Sequence, residues 1–281
     1  MKHNWLITTA ILTLFFVAQL TGLIIVDKYI GEEGWKSLPS IIGVDIERPD
    51  VDPNISIIYM MVAIVLGTIL ILFIVSFKRV FIWKLWFFLS VTLCLQISFA
   101  AFINEIFAVI LAVMLAIVKI FRSNFLVHNL TELFIYGGLA VIFVPMLNIL
   151  YAIILLVLLS LYDMYAVWKS KHMIKMAKFQ TKAGIFAGFM IPYGKKIKKK
   201  GSKAVAVRSA VLGGGDIGFP LIFAGVILYN MGFASAIIVA CFSTLSLFAL
   251  LMLSKKDKFY PAMPFLTIGC LVGFAVIKLL F

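Results

Sequence analysis

Apolar runs of about twenty residues follow one another along this chain with few polar residues between them. A run of that length spans the roughly 30 Å of hydrocarbon in a bilayer, and a water-facing domain has little use for one because its shell is mostly polar. The runs cover residues 6–26, 55–77, 83–102, 106–121, 126–144, 147–168, 209–229, 234–253 and 261–281. With 64% hydrophobic and only 13% charged residues among 281, a soluble globular domain is excluded. The nine runs predict an all-α polytopic membrane protein of nine transmembrane helices, a multi-pass protein of the cell membrane. Lys2 and His3 before the first run resemble the start of a signal peptide. That run is too long for a signal core and ends without a small-residue cleavage site, so it reads as a helix. The connections between the third and fourth runs, and between the fifth and sixth, are very short, so those boundaries are the least sharp.

In a soluble protein a net charge of +13 would point to nucleic acid. In a membrane protein Lys and Arg collect in cytoplasmic loops, and no nucleic-acid partner is needed to explain them. With the N-terminus in the cytoplasm and nine crossings, all of the 25 Lys and Arg except Lys28, Lys36, Arg48 and Lys278 fall on the cytoplasmic side. One span more or fewer would scramble that division, so the N-terminus is expected inside and the C-terminus outside. The chain then divides into a six-helix part (1–168), a basic cytoplasmic loop (169–208) and a three-helix part (209–281). The first loop, 27–54, is acidic, with Trp35, Leu38, Ile41 and Ile42 placed to pack onto helix ends. In the basic loop, the mix of lysines and apolar positions over 173–190 predicts an interfacial helix. The cluster at 195–203 suits topology signalling and anionic lipid.

A carboxylate at membrane depth is costly and marks a functional position. Of twelve Asp and Glu, seven lie in the first loop, Asp257 lies in the last cytoplasmic loop, and Glu105 sits at an outer helix end. Glu132, Asp163 and Asp216 remain. Asp163 lies six positions before Lys169 and Asp216 eight after Arg208. At 1.5 Å per residue both sit roughly 9–12 Å inside the same boundary, on antiparallel neighbours, and can meet. Such a pair suits two chemistries. It could carry protons or cations in a transporter or leak channel. It could also share one proton, the ionised member activating water and the protonated one donating to a carbonyl oxygen. Which aspartate holds the proton is not encoded in the spacing. His128 and Glu132, four apart, share a helix face and are expected to form an internal pair or a water-facing polar patch. The scattered histidines, and Cys94, Cys241 and Cys270 in apolar runs, give no metal or disulfide pattern, so no cofactor is expected.

Tyr162-Asp163, then Gly213-Gly214-Gly215-Asp216, then Pro261-Ala262-Met263-Pro264 resemble the Tyr-Asp, Gly-x-Gly-Asp and Pro-Ala-Leu motifs of the presenilin and signal peptide peptidase family. Those are intramembrane aspartyl proteases, and the small size without appended domains is similar to a prokaryotic, archaeal-type presenilin homologue. Met263 stands where the family has leucine, a change that conserves volume and apolarity. The basic loop is short beside that of eukaryotic presenilins, so cleavage of the loop by the enzyme itself is not expected. The resemblance implies that Asp163 and Asp216 are catalytic. It further implies that Tyr162, Gly213, Gly214, Gly215, Pro261, Ala262 and Met263 shape the site and hold substrate. The partners implied are a transmembrane peptide substrate, with its N-terminus outside, and the lipid bilayer. An unwound substrate needs a backbone edge, and the resemblance assigns that role to residues 204–207 and the Pro-Ala-Met stretch, although apolar alternation there is slight. A prepilin-peptidase-like enzyme shares Gly-x-Gly-Asp but not the other two motifs. Neither the physiological substrate nor the oligomeric state is legible.

Overall fold

In a computed structural model, the described residues are 5–32, 34–40, 47–48, 53–76, 80–122, 124–170, 176, 179–180, 186–198, 205–254 and 260–280; the side chains of 53–54, 74–76, 193–198 and 205–209 are excepted. The long helices among them are α1 (Trp5–Lys28), α2 (Pro53–Ser76), α3 (Val80–Ala100), α4 (Glu105–Phe121), α5 (Phe125–Phe143), α6 (Ile149–Met164), α7 (Gly214–Met231), α8 (Phe233–Leu253) and α9 (Met263–Leu280). Eight are long and apolar enough to cross a membrane, and α4, at 17 residues, falls just short. The short connections are set by asparagines. Asn104, Asn124 and Asn148 accept from the backbone N–H of Ile106, Leu126 and Tyr151, and so cap α4, α5 and α6. Past Met164, α6 continues as one wide turn, a π-helix over Tyr165–Lys169.

Two antiparallel hairpins are added to the helices. One joins β1 (Ile30–Gly31) to β2 (Gly34–Trp35) in the first loop. There Trp35 stacks on Tyr229 of α7 with ring centroids 5.1 Å apart, and Leu38 is buried, so this loop packs down as expected; Ile41 and Ile42 lie outside the described residues. The other joins β3 (Gly188–Lys198) to β4 (Val205–Gly213). It corrects two sequence expectations. The seventh helix begins at Gly214 rather than at 209, because 209–213 is strand paired with β3. The interfacial helix expected over 173–190 does not reach its end. Met176, Phe179 and Gln180 are helical, but Gly188 turns at φ +136°, a conformation that favours glycine, and starts β3. The other residues of that stretch, apart from Phe186 to Met190, lie outside the described residues.

The main core gathers α1 and α5 to α9, with α1 in its centre: Phe15, Ala18, Leu23 and Ile25 are fully buried. Without a hydrophobic force between helices in lipid, close approach of small residues does the work. A Cβ on Gly273 of α9 would lie 3.0 Å from the Cα of Val239 on α8. Gly138 of α5 is tighter still: a Cβ there would come 2.8 Å from the carbonyl carbon of Cys94 on α3. A second core joins α3 to α4 through Ala108, Ala112 and Ala116, all fully buried at four-residue spacing. The opposite face of α4 turns Ile106, Ile110, Met114 and Ile117 outward. α2 is the loosest helix; it packs on α6 and α3 and leaves Ile58, Leu66, Ile69 and Phe73 exposed.

Gly138→Leu drives a side chain into the α3 backbone and is expected to cost about 1–3 kcal/mol, the usual range for overpacking. Thermal unfolding in detergent checks it, with the midpoint falling by several degrees, whereas Gly67→Leu, at a position where a Cβ meets nothing within 4 Å, leaves it in place.

Candidate active site

Asp163 occupies the last turn of α6 and is 4% exposed. Its Oδ2 accepts the backbone N–H of Met263 at 3.1 Å, and the N–H of Ala262 is a second donor. The first N–H groups of any helix lack intrahelical partners. Asp163 therefore caps α9 from another helix. Pro264, next in the chain, has no N–H to satisfy, which is why proline is tolerated there.

Asp216 is placed by the strand that runs into its helix. Gly188 pairs with Gly213 at the inner end of the hairpin, and the N–H of Gly214 bonds to Ala187 O at 3.1 Å. Gly213 is extended at φ −66°, ψ 149°, and from Gly214 the chain coils into α7. Asp216 falls in the first turn, where the helix dipole favours a carboxylate, and the Gly213 N–H bonds back to it. A Cβ on Gly213 would lie 3.1 Å from Asp216 Oδ2, and one on Gly214 would lie 2.8 Å from the hydroxyl of Tyr136. The two glycines leave room for the Asp216 carboxylate and the Tyr136 hydroxyl. Gly215 is different: it is exposed, and its Cβ would meet Phe219 at an ordinary 3.5 Å.

Asp163 and Asp216 line one cavity of about 480 Å³ and lie within electrostatic reach of each other. Gly213, Gly214, Gly215 and Ala262 line it too, beside an apolar wall that includes Phe219, Leu250 and Leu251. Pro261 and Met263 are buried next to Ala262. Tyr162 is not in this group. Its hydroxyl donates to Thr68 Oγ1 at 3.0 Å, tying α6 to α2, and it is not among the cavity residues. Among the described residues no three His, Cys, Asp or Glu are grouped to hold a metal ion.

Sequence reasoning missed Tyr136, which is buried, lines the cavity and donates its hydroxyl to Glu132. The signal was available: His128, Glu132 and Tyr136 recur every four residues and so share one helix face. It also missed the cation that partners Glu132. Lys119 lies near the end of the 106–121 run and counts only among the cytoplasmic cations, yet it is buried on α4 with Nζ 2.7 Å from Glu132 Oε1.

Residues 12–281 match the family described as "Signal-peptide peptidase, presenilin aspartyl protease". Two solved structures of a presenilin family intramembrane aspartate protease, in different crystal forms, share the fold. The first has a TM-score of 0.65 at 19% identity over 98% of this chain and 99% of the other. The second has 0.63 at 20% identity over 99% and 100%. No curated protein matches significantly.

The glycine geometry ranks three substitutions. Gly213→Ala and Gly214→Ala displace Asp216 or Tyr136 and are expected to slow peptide cleavage at least roughly tenfold, since ångström-scale misplacement of reacting groups costs that much or more. Gly215→Ala fits an ordinary contact and is expected to stay within about threefold of the unmodified rate, by the same geometric criterion. Initial rates on a purified single-span substrate in detergent give the order, and a slow Gly215→Ala beside fast Gly213→Ala and Gly214→Ala would reverse it.

Proposed function

The chain belongs to the signal-peptide peptidase and presenilin aspartyl protease family and is an intramembrane aspartyl protease, and on that premise we propose that Asp163 and Asp216 are its catalytic dyad. One observation carries the assignment: two aspartates from different helices line the same cavity, each held by backbone N–H donors. Family membership does not favour the transporter or leak-channel alternative.

The chemistry follows from the pair. Two close carboxylates in a desolvated site share a proton. The ionised one takes a proton from water as the water oxygen attacks the scissile carbonyl carbon. The protonated one donates to the carbonyl oxygen, giving a tetrahedral diol. On collapse, the C–N bond breaks, the nitrogen leaves as an amine with a proton from one carboxyl, and a diol hydroxyl gives its proton to the other carboxylate as the C=O re-forms, so the dyad is again left with one proton. Backbone N–H groups of Met263, Ala262 and Gly213 fix the two side chains for this exchange.

The substrate is a transmembrane segment. A helix buries its peptide bonds in its own hydrogen bonds and must unwind before it is cut. The unwound strand then needs a partner edge. β4 pairs with β3 along one side, and among the described residues no strand pairs with its other edge. Val211, the outward residue of β4 nearest the site, is 42% exposed and lines the cavity. Ala262 lines the same cavity. The Lys and Arg distribution supports nine crossings in the cell membrane, with the N-terminus inside and the C-terminus outside, so that substrates enter with their N-terminus outside.

Asp163→Asn and Asp216→Asn are each expected to remove cleavage of a purified single-span substrate by a factor of about 10³ or more, as loss of an essential acid or base does, with the thermal midpoint retained. Cleavage surviving either change would sink the dyad. Substrates reconstituted in both orientations test the topology: N-outside segments are cut, and exclusive cleavage of N-inside segments would refute it.

A further inference from the structure

The hydrolytic pair leaves one polar cluster unused. Lys119 of α4 and His128, Asn129, Thr131 and Glu132 of α5 are each 9% exposed or less. Lys119 Nζ reaches Glu132 Oε1 at 2.7 Å, Thr131 Oγ1 at 3.0 Å, and both His128 O and His128 Nδ1 at 3.3 Å. His128 Nε2 lies 2.8 Å from Gly188 O. A carbonyl only accepts, so Nε2 carries the ring proton and Nδ1 is left to accept from the Lys119 ammonium. Asn129 does what a neighbouring strand would do: its Nδ2 donates to Met190 O at 2.9 Å, and its Oδ1 accepts from Met190 N at 3.0 Å. Farther along the same face, Tyr136 bonds to Glu132 and abuts Gly214.

The two points that α5 grips are opposite the residues that matter. Gly188 pairs with Gly213, which opens the Asp216 turn, and Met190 pairs with Val211, which lines the cavity. A desolvated ion pair adds little net stability compared with apolar packing. What Lys119 and Glu132 do here is hold His128 in one tautomer and Tyr136 in one place. Strand register is discrete, and a slip of one residue exchanges the faces of every side chain.

We propose that the Lys119–Glu132–His128 network and Asn129 form a positioning clamp that fixes the register of the β3–β4 hairpin against the dyad, and so selects which substrate bond is cut. None of these four is a catalytic residue; they act through Gly188, Met190 and the paired strand. The inference rests on the Asp163/Asp216 reading and on substrate pairing with β4.

The test uses the full chain in liposomes with a single-span substrate. It measures products by mass spectrometry, rate per folded molecule, and thermal midpoint. The unmodified protein and Asp216→Asn serve as controls. Asn129→Leu removes both bonds to Met190 while keeping the branched shape and the number of side-chain heavy atoms. It is expected to slow cleavage per folded molecule about tenfold and to shift the ratio of products cut at neighbouring bonds at least threefold by the same loss of positioning. Lys119→Met with Glu132→Gln, which leaves no lone charge buried, is expected to move the same two quantities. It decides the matter if Asn129→Leu folds poorly. An unchanged product ratio in the folded variants overturns the clamp, as does a rate loss that tracks only the folded fraction. Cleavage by Asp216→Asn, or none by the unmodified protein, overturns the dyad reading instead and the clamp with it.

Discussion

The constraint behind this structure is the absence of water at membrane depth. Backbone polar groups placed there must be satisfied by the protein itself, and buried side chains supply many of the partners. Asp163 finds the N–H groups at the start of α9, which themselves have no intrahelical acceptor. The β3–β4 hairpin finds its neighbours in α5, through Asn129 and His128. Gln19 of α1 donates to Ile217 O at 3.0 Å, on the turn of α7 where Pro220 interrupts the helical ladder. Each of these bonds joins segments far apart in sequence, so satisfying the polar groups also assembles the site.

Packing supports that assembly from the apolar side. Lipid tails are as apolar as leucine, so the helices gain little from hiding and gain mainly from fitting. Fit is achieved where Gly138, Gly269, Gly273 and the alanines of α4 let backbones approach. The same logic explains the glycines of the site. Gly213 makes room for the Asp216 carboxylate and Gly214 for Tyr136, so the motif is read most strictly at these two positions rather than at Gly215.

Much of this was legible in the sequence, and the failures have physical causes. Helices are readable in a membrane protein because length and apolarity define them, and most of the boundaries fell within a few residues of the structure. The edge expected at 204–207 falls at the start of β4, but the strand's run on to Gly213 was hidden because both of its faces are apolar near the site: Ala210 and Leu212 are buried while Val211 looks into the cavity. No alternation of polar and apolar residues marks a strand in such surroundings. Lys119 lies inside the 106–121 run, two residues from its end, and was counted only among the cytoplasmic cations; the structure shows its partner to be Glu132. Tyr162 sits beside Asp163 in the chain, yet successive helical residues project about 100° apart, and its hydroxyl meets Thr68 on α2 instead of the cavity. Cost leaves three acidic residues at depth, Glu132, Asp163 and Asp216, and matched depth on neighbouring helices is what pairs the two aspartates.

The bond from Met263 to Asp163 spans 100 positions of sequence, and its donor is made after α1 to α8. A chain threading into the bilayer from its N-terminus presents both aspartates before it can present that N–H. Until α9 arrives, Asp163 lacks its anchor and the wall formed by Ala262 is missing. The cleft is therefore closed by the helix that comes last of the nine, and a single bond to its first turn joins the α6 aspartate to a wall on the far side of the sequence.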